Sequence, residues 1–424
     1  MLKVVGGCSL NGKVEAPPSK SYTHRAVVLA SLADGRSEIL KPLESRDTMA
    51  TFRGCVALGA SIAREGDKWI VEGKGELKTP DDVINVENSG TTMRILTAVS
   101  ALAPGFTVLT GDDSIRKRPM GPLLDALHQL GVECWSTKGN GTPPIVVKGG
   151  GIRGGVASIR GDISSQFISA LLIVSPLTSV ETSITLTSEL KSKPYVYITM
   201  ETMEAFGVKV KVEGRSFRAE RCRYKPSSFL IPGDFSSASF LLTAAAITDS
   251  DVTVTNLDIN SPQGDKKIVN VLREMGCKVD VGDNWVRVRG GGELTGVDVD
   301  CGDTPDLLPV ISILGAYANG PTRIFNAEHV RFKESDRISV MASELSKMGV
   351  EVEEMKDGLV IKGGRRVKGS IVDAHGDHRI LMALVVAGLA AEGETVILGE
   401  DCVDVSYPRF LDDLERLGAN FRRM

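Results

Sequence analysis

Four stretches of the chain carry the side chains best suited to chemistry. They are Lys20-Ser21 with Arg25, the triplet Arg116-Lys117-Arg118, the run Arg331-Phe332-Lys333-Glu334-Ser335-Asp336-Arg337, and His375-Gly376-Asp377-His378-Arg379. Each lies where a helix is expected to begin, so its cations meet free backbone N–H groups and the positive end of a helix dipole. Lysines and arginines gathered from distant stretches suit a ligand with several anionic groups, because guanidinium forks hold phosphate and carboxylate bidentately. Taken singly, each stretch has a plainer reading. A charged run such as 331–337 commonly covers a solvated face, and Ser164-Ser165-Gln166 reads as a helix cap. Asp162, Asp234, Asp303 and Asp377 read as turn or cap residues, whereas Asp306, three residues past Asp303, has no counterpart elsewhere in the chain. His375 and His378 are spaced as a loose metal pair with no third ligand, so no metal is expected. Gly149-Gly150-Gly151 and Gly154-Gly155 lack the Gly-Lys-Ser/Thr ending of a phosphate loop and read as hairpin turns.

The elements that position these residues repeat. A phrase in which an amphipathic helix ends in an apolar residue and then glycine recurs at Gly59, Gly131, Gly207, Gly276, Gly349 and Gly418, at spacings of 72, 76, 69, 73 and 69 residues. Glycine suits this place because a left-handed helix end carries no Cβ penalty there. Upstream, Met120, Leu123, Leu124, Leu127 and Leu130 keep the helical period, as do Ile338, Met341, Leu345 and Met348. Pro119, Pro194, Pro262 and Pro408 mark helix starts, and Ser335-Asp336 reads as a cap. Between these helices lies a second series, apolar on most faces and therefore interior, at 25–33, 95–103, 167–174, 239–247, 307–317 and 380–391. β-like runs follow at 37–40, 107–110, 182–186, 252–256, 322–326 and 395–398. One unit is thus buried helix, strand, amphipathic helix and one or two strands, and six units account for the 424 residues. The buried helices are preceded by Gly161-Asp162, Gly233-Asp234, Gly302-Asp303 and Gly376-Asp377, or in the first two units by Pro18-Ser19-Lys20-Ser21 and Asn88-Ser89-Gly90-Thr91-Thr92. If the units pack around pseudo-threefold axes, those ends converge and form an anion site.

Composition bounds the rest. Glycine reaches 45 of 424 residues and apolar side chains 42% while aromatics are 5%, which argues for many turns between short aliphatic elements and against coiled coil or disorder. A net charge of −4 is not that of a nucleic-acid binder. The longest apolar run, 380–391, is 12 residues long, too short for a membrane span. Seven scattered cysteines without a C-x-x-C motif or a Cys–His pair read as reduced packing thiols, and with no signal peptide a cytoplasmic protein is expected. The links Ala16-Pro17-Pro18-Ser19 and 226–232 divide the chain into a domain of units one to three, 18–230, and a domain of units four to six, 231–424, to which 1–17 returns. Two crossings, at 16–19 and 226–232, make a hinge, and a cleft between domains commonly encloses small ligands.

The sequence resembles the 5-enolpyruvylshikimate-3-phosphate synthases of the enolpyruvyl transferase family. The matching phrases are Pro18-Ser19-Lys20-Ser21-x-x-x-Arg25, Asn88-Ser89-Gly90-Thr91-Thr92-Met93-Arg94, Arg118-Pro119-Met120, Gly161-Asp162-Ile163-Ser164-Ser165-Gln166-Phe167, Lys193-Pro194-Tyr195, Pro305-Asp306, the 331–337 run and Asp377-His378-Arg379. They occur in order from residue 18 to 379. The resemblance implies two inside-out α/β domains, each of three βαβαββ-type repeat units with buried central helices, in agreement with the six-unit count. It implies transfer of the enolpyruvyl group of phosphoenolpyruvate to shikimate 3-phosphate with release of phosphate, without cofactor or metal, by a protein expected to be monomeric and to bind neither nucleic acid nor membrane. By motif position it implies that Lys20, Ser21, Arg25, Ser164, Ser165, Gln166, Ser192, Tyr195, Asp306 and Lys333 hold shikimate 3-phosphate. Lys20, Asn88, Gly90, Arg118, Gln166, Arg337 and Arg379 would hold phosphoenolpyruvate.

The implied chemistry is addition followed by elimination, which needs a carboxylate base, an acid and fixed positive charge in a water-poor cleft. Asp306 and Glu334 are expected to share the base and proton-transfer roles, with Lys20 as acid and charge stabiliser and His378 as an orienting partner. The sequence leaves open which carboxylate moves which proton. Two positions depart from the family pattern. Val405 stands where members often carry a lysine reaching phosphoenolpyruvate, and His329 stands where some have an asparagine contacting shikimate 3-phosphate. Gly90 leaves room for a small phosphonate mimic such as glyphosate. UDP-N-acetylglucosamine enolpyruvyl transferases share fold and donor, but begin with Lys-Asn where this chain has Lys20-Ser21, and carry a reactive loop cysteine of which this sequence shows no sign. A six-repeat binding scaffold without catalysis would not need Lys20, Asp306, Glu334 and His378.

Overall fold

All six repeat glycines end an outer helix in the left-handed conformation, with φ between 84° and 115°. Those helices are Arg46–Ala57, Gly121–Gln129, Lys193–Ala205, Ile268–Glu274, Arg337–Lys347 and Phe410–Leu417. At each, the residue after the glycine returns its N–H to a carbonyl five residues back, as in Val132 to Leu127 at 3.0 Å and Val350 to Leu345 at 3.1 Å. This closure satisfies the orphan carbonyls of the last turn and redirects the chain into the next strand. Pro194 lies in the first turn of its helix, whereas Pro119, Pro262 and Pro408 stand just ahead of theirs. Asp336 is the working cap of the Ser335-Asp336 pair, accepting from Ser339 N.

The structure, a computed structural model, describes residues 1–364 and 366–423. The inner helices are Lys20–Leu32, Gly90–Ser100, Ser165–Val174, Phe235–Ile247, Leu308–Tyr317 and His378–Ala390, buried along nearly their whole length. Each repeat is built on strand, inner helix, strand, outer helix and hairpin, and each of the six sheets has four strands, which in the second, third and fifth repeats all come from one repeat. In the third repeat Gly155–Ile159 pairs parallel with Thr182–Leu186, and the hairpin Val210–Glu213 and Ser216–Ala219 adds antiparallel beyond it. The short parallel edge strand ahead of each inner helix is absent from the unit read from the periodicity and is the first strand of the βαβαββ unit that the resemblance implies. It is as brief as Ile84–Asn85, so it carries no period and is made a strand by its neighbour.

Three sheets are completed by distant chain. Ser228–Leu230, after the third repeat, pairs parallel with Asp34–Leu40 of the first. Asn11–Glu15 supplies the edge of the fourth-repeat sheet beside Asp251–Thr255. Leu2–Val5 lies between Glu394–Leu398 and Phe421–Arg423, so both ends of the chain share the sixth sheet. The chain divides into two compact units, Pro18–Ile231 and Met1–Pro17 with Pro232–Met424. Ile231 goes with the former rather than the latter, because its N–H is bonded to Leu40 O at 3.0 Å. Each unit has its own aliphatic core.

A second glycine series explains more of the composition. Gly149, Gly290 and Gly363 directly follow the last strand of a repeat, Gly73 lies near the end of the strand Lys68–Lys74, and Gly6 follows Leu2–Val5, which takes that place in the sixth sheet; each passes under the C-terminus of an inner helix. A Cβ on any of them would come within 1.8–2.2 Å of a helix-end carbonyl oxygen. Only the third repeat departs, with Glu220 in that place.

Candidate active site

In the Pro18–Ile231 unit the expected residues stand at the starts of the three inner helices and of the outer helices Gly121–Gln129 and Lys193–Ala205. Arg118, buried just ahead of the helix Gly121–Gln129, donates from Nη2 to Asn88 Oδ1 at 3.2 Å and Ser114 Oγ at 3.1 Å. Asn88 donates in turn to Asp112 Oδ2 at 2.6 Å. Arg94, one turn into the second inner helix, donates to Gln166 Oε1 at 3.3 Å, and Gln166 Nε2 donates to Thr91 Oγ1 at 3.0 Å. The two guanidiniums close over Gly90: a Cβ there would lie 2.2 Å from Arg94 Nη1 and 2.7 Å from Arg118 Nη1. Two cations drawn to one helix start, capped by Ser89 and adding its own dipole, make a strongly positive spot.

Lys20 opens the first inner helix and pairs with Asp47 Oδ2 at 3.0 Å, the lysine side chain 15% exposed and the aspartate 6%. Arg25, on the next turn, is buried, and its acceptors among the described residues are neutral. Nε donates to Thr199 Oγ1 at 2.7 Å, Nη1 to Ser21 O at 2.8 Å, and Nη2 to Ser169 Oγ and Tyr195 O at 3.2 and 3.1 Å. Burial pulls its pKa down to about 10, against the opposing pull of Tyr195 and Tyr22, so it stays charged at neutral pH. Ser192, expected to touch substrate, is buried with left-handed φ 54°, ψ 38°, an unfavourable conformation for a residue with a Cβ. Its carbonyl accepts from Tyr195 N at 3.2 Å. Ser164 caps the third inner helix through Gln166 N at 3.3 Å, and Ser165 follows it, buried.

In the other unit one guanidinium organises the site. Arg337, at the first turn of its outer helix and 1% exposed, donates to Asp306 Oδ1 at 2.7 Å, Glu334 Oε2 at 2.9 Å and Asp377 Oδ2 at 2.8 Å. Arg379 Nη2 meets the second oxygen of Asp306 at 3.3 Å. Burial would push the Asp306 carboxyl up, but Arg379, Arg337 and Lys333 together outweigh it and hold it well below the usual carboxylate range. Burial would likewise lower Arg337, but Asp377, Glu334 and Asp306 raise it further. Asp377, read from sequence as a cap, does cap Arg379 N at 2.8 Å, and it also receives Ser335 Oγ at 3.1 Å and Arg337. His378 is buried beside it, Nδ1 3.9 Å from Asp377 Oδ1. Val405 is buried in the short helical turn Glu400–Val405, and His329 in the turn Glu328–Phe332.

Asp265 belongs to this cluster and was missed. It is buried, receives a short hydrogen bond from Ser236 Oγ, and is pushed up to about 7 by burial and by Asp306, against the pull of Ser236 and Arg379, with Asp234 adding to the rise. A carboxyl whose folded pKa lies above its unfolded value favours folding only while protonated. The penalty is absent below about pH 4, grows through the window up to about 7, and is full above it. Asp265→Asn should therefore gain melting temperature relative to the parent on going from pH 5 to pH 8. A gap that does not widen over that range would contradict a protonated Asp265.

The other missed residues are Arg94, Asp47 and the second role of Asp377. Arg94 had a signal, standing four residues after Gly90 and so on the same helical face. Asp47 had none, being 27 residues from Lys20 on another helix. Burial pushes the Cys55, Cys134, Cys301 and Cys402 thiols up to about 12, so these four are held as thiols at neutral pH. Among the described residues there is no group of three metal-ligating side chains, and no helix is long and apolar enough to cross a membrane.

Comparison with known proteins identifies the family. Residues 4–414 match the family described as EPSP synthase (3-phosphoshikimate 1-carboxyvinyltransferase). The 3-phosphoshikimate 1-carboxyvinyltransferase of Methanocaldococcus jannaschii is 52% identical over 97% of this chain and 96% of its own length. That of Methanocella arvoryzae is 51% identical over 96% of each. Among solved structures, an EPSP synthase from Acinetobacter baumannii superposes with a TM-score of 0.84 at 29% identity, covering 99% of both chains.

Proposed function

Because the chain belongs to the EPSP synthase (3-phosphoshikimate 1-carboxyvinyltransferase) family, we propose that its two charged clusters serve one reaction on two anionic substrates. The reaction itself is enolpyruvyl transfer: phosphoenolpyruvate gives its enolpyruvyl group to the 5-hydroxyl of shikimate 3-phosphate and phosphate is released, a step of aromatic amino acid biosynthesis. The hydroxyl oxygen bonds to C2 of phosphoenolpyruvate while C3 takes up a proton. The tetrahedral adduct then loses phosphate from C2 and a proton from C3, restoring the double bond.

The observation that carries the residue assignment is the Asp306 carboxylate held by two arginines, Arg337 at 2.7 Å and Arg379 at 3.3 Å. So held, it is too weak a base to accept a hydroxyl proton. An anionic phosphoenolpyruvate engaging the same guanidiniums offsets their charge and raises the carboxylate's basicity. Substrate binding thereby arms the base. Asp306 also holds the shikimate hydroxyls, and Glu334, bonded to the same Arg337, shares proton transfer. Lys20 supplies the acid and the positive charge that the departing phosphate needs, and His378 orients its neighbours. Arg118, Asn88, Gly90 and Gln166 take the phosphoenolpyruvate anion. Ser21, Arg25, Ser164, Ser165, Ser192, Tyr195 and Lys333 take shikimate 3-phosphate. The chain works as a cytoplasmic monomer, without cofactor or metal.

Two results test this reading. In D2O, turnover of both substrates should place deuterium at C3 of the product enol, since the C3 methyl of the adduct loses one of three hydrogens; product without deuterium would exclude the adduct. Gly90→Ala puts a methyl where the Arg94 and Arg118 tips lie. It should raise KM for phosphoenolpyruvate by about tenfold, more than KM for shikimate 3-phosphate, because a displacement of an ångström at a binding fork is costly. Unchanged KM would remove Gly90 from the site.

A further inference from the structure

Helix Arg337–Lys347 carries a second buried charge. Glu344 stands two turns after Arg337, nearly on the same face, and its side chain is wholly buried. Its Oε2 accepts the backbone N–H of Asp373 at 3.0 Å, its Oε1 meets His375 Nε2 at 3.0 Å, and Lys347 Nζ reaches both oxygens at 2.7 and 2.8 Å. Burial opposes its charge, but Lys347, His375 and the Asp373 amide outweigh burial and keep the carboxyl below its usual range. A buried carboxylate with its lone pairs taken by three separate donors is a rigid anchor.

What it anchors is the segment 373–377. There His375 adopts left-handed φ 50° and donates its own N–H to Asp373 Oδ1 at 2.7 Å, while Asp377 N returns to Ala374 O at 2.9 Å. That tight turn ends in Asp377, which receives Arg337 and caps Arg379 N. One helix therefore grips the segment twice, at its first turn through Arg337 and two turns on through Glu344. The sheet already ties the start of the segment, Ala374 N donating to Leu398 O at 3.0 Å, and Arg337 and Ser335 hold its end through Asp377. Glu344 adds a grip on the turn between them, through Asp373 N and the His375 ring, so the turn cannot rotate without breaking a buried hydrogen bond.

We propose that Glu344 and His375 are positioning residues for the arginine pair Arg337 and Arg379, fixing through 373–377 the angle at which those guanidiniums meet the phosphoenolpyruvate anion. The inference rests on the assignment of Arg337 and Arg379 to phosphoenolpyruvate. Neither Glu344 nor His375 touches substrate in this account, so their effect is on binding geometry rather than on proton transfer.

His375 is 43% exposed in its side chain, so its substitution leaves the core intact. Steady-state kinetics of His375→Ala should show KM for phosphoenolpyruvate raised about fivefold to tenfold, with KM for shikimate 3-phosphate and kcat within about twofold of the parent. His375→Gln, which can offer an amide N–H to Glu344 from a similar distance, should recover most of the loss. Glu344→Ala should shift the same constant further where it folds. A purely structural role would lower the melting temperature without separating the two KM values, and that result overturns the proposal, as does an unchanged phosphoenolpyruvate KM in His375→Ala. Arg379→Ala in the same assay tells the two failures apart. If it leaves phosphoenolpyruvate KM unaltered, the assignment of the arginines fails and the proposal with it. If it raises KM while His375→Ala does not, the positioning role alone fails.

Discussion

Asp306→Ala is expected to lower kcat by at least about 100-fold with the fold intact, the range seen when a positioned general base is removed. The substitution does two things. It removes the carboxylate that bridges the guanidiniums of Arg337 and Arg379, and with it the group assigned to the 5-hydroxyl proton. It also frees those guanidiniums from a competing anion, so KM for phosphoenolpyruvate should stay level or fall while kcat collapses. That split separates loss of a base from loss of a binding site, because a binding residue would raise KM. Arg337 keeps Glu334 and Asp377, and Arg379 keeps the nearby Asp265, whose carboxyl Asp306 no longer pushes up, so both buried cations retain a counter-charge and the unit should still fold. Wild-type kcat in the purified variant would remove Asp306 from the chemistry.

Lys20→Ala is the second large effect, again at least about 100-fold in kcat. Lys20 is the first residue of an inner helix, and its ammonium lies 3.0 Å from Asp47 at 15% exposure. A charge this little hydrated stabilises a departing phosphate more strongly than a surface lysine could. Removing it leaves Asp47 at the start of its own helix, near that helix's positive end, so the carboxylate remains tolerated. Lys20→Arg tests the role more finely. It keeps the positive charge but not an ammonium able to give up a proton, so recovery of KM without recovery of kcat marks Lys20 as an acid. Full recovery of both would reduce it to a counter-charge.

Much of the architecture was legible because it is written in local periods. A glycine that ends a helix, an apolar face recurring every third or fourth residue and a proline ahead of a first turn all act within one element. Six repetitions therefore announce themselves before any packing is known. Strands as short as Ile84–Asn85 act through a neighbour and leave no period. The pairing of Ser228–Leu230 with Asp34–Leu40 joins segments about 190 residues apart, and the prolines around it read only as a link between domains. The site followed the same division. Lys20, Arg25, Arg118, Arg337 and Arg379 were visible by type at helix starts. Their partners were not, since Asp47, Thr199, Asn88 and Asp377 come from other elements, 27, 174, 30 and 40 residues away for the first four of those cations. Asp377 shows the limit best: the repeat explains it as a cap, and only the fold reveals that the same carboxylate holds Arg337.

The near-neutral net charge misleads for a related reason. Basic groups concentrated at helix starts coexist with acidic groups spread over outer strands and helices, as in the pairs Arg287–Asp251 and Lys362–Glu351, both partly solvated. Such surface pairs contribute little to stability. A formal charge of −4 is therefore compatible with locally positive binding sites.

The central claim is that both clusters work on phosphoenolpyruvate and shikimate 3-phosphate in one transfer. The most direct test is phosphate release from phosphoenolpyruvate, measured with shikimate 3-phosphate or UDP-N-acetylglucosamine as acceptor, for the parent, Lys20→Ala and Asp306→Ala. The account predicts rapid release by the parent with shikimate 3-phosphate, none above background with the UDP-sugar, and at least about 100-fold slower release in each variant. Release driven by the UDP-sugar, or parental rates in both variants with shikimate 3-phosphate, would contradict it.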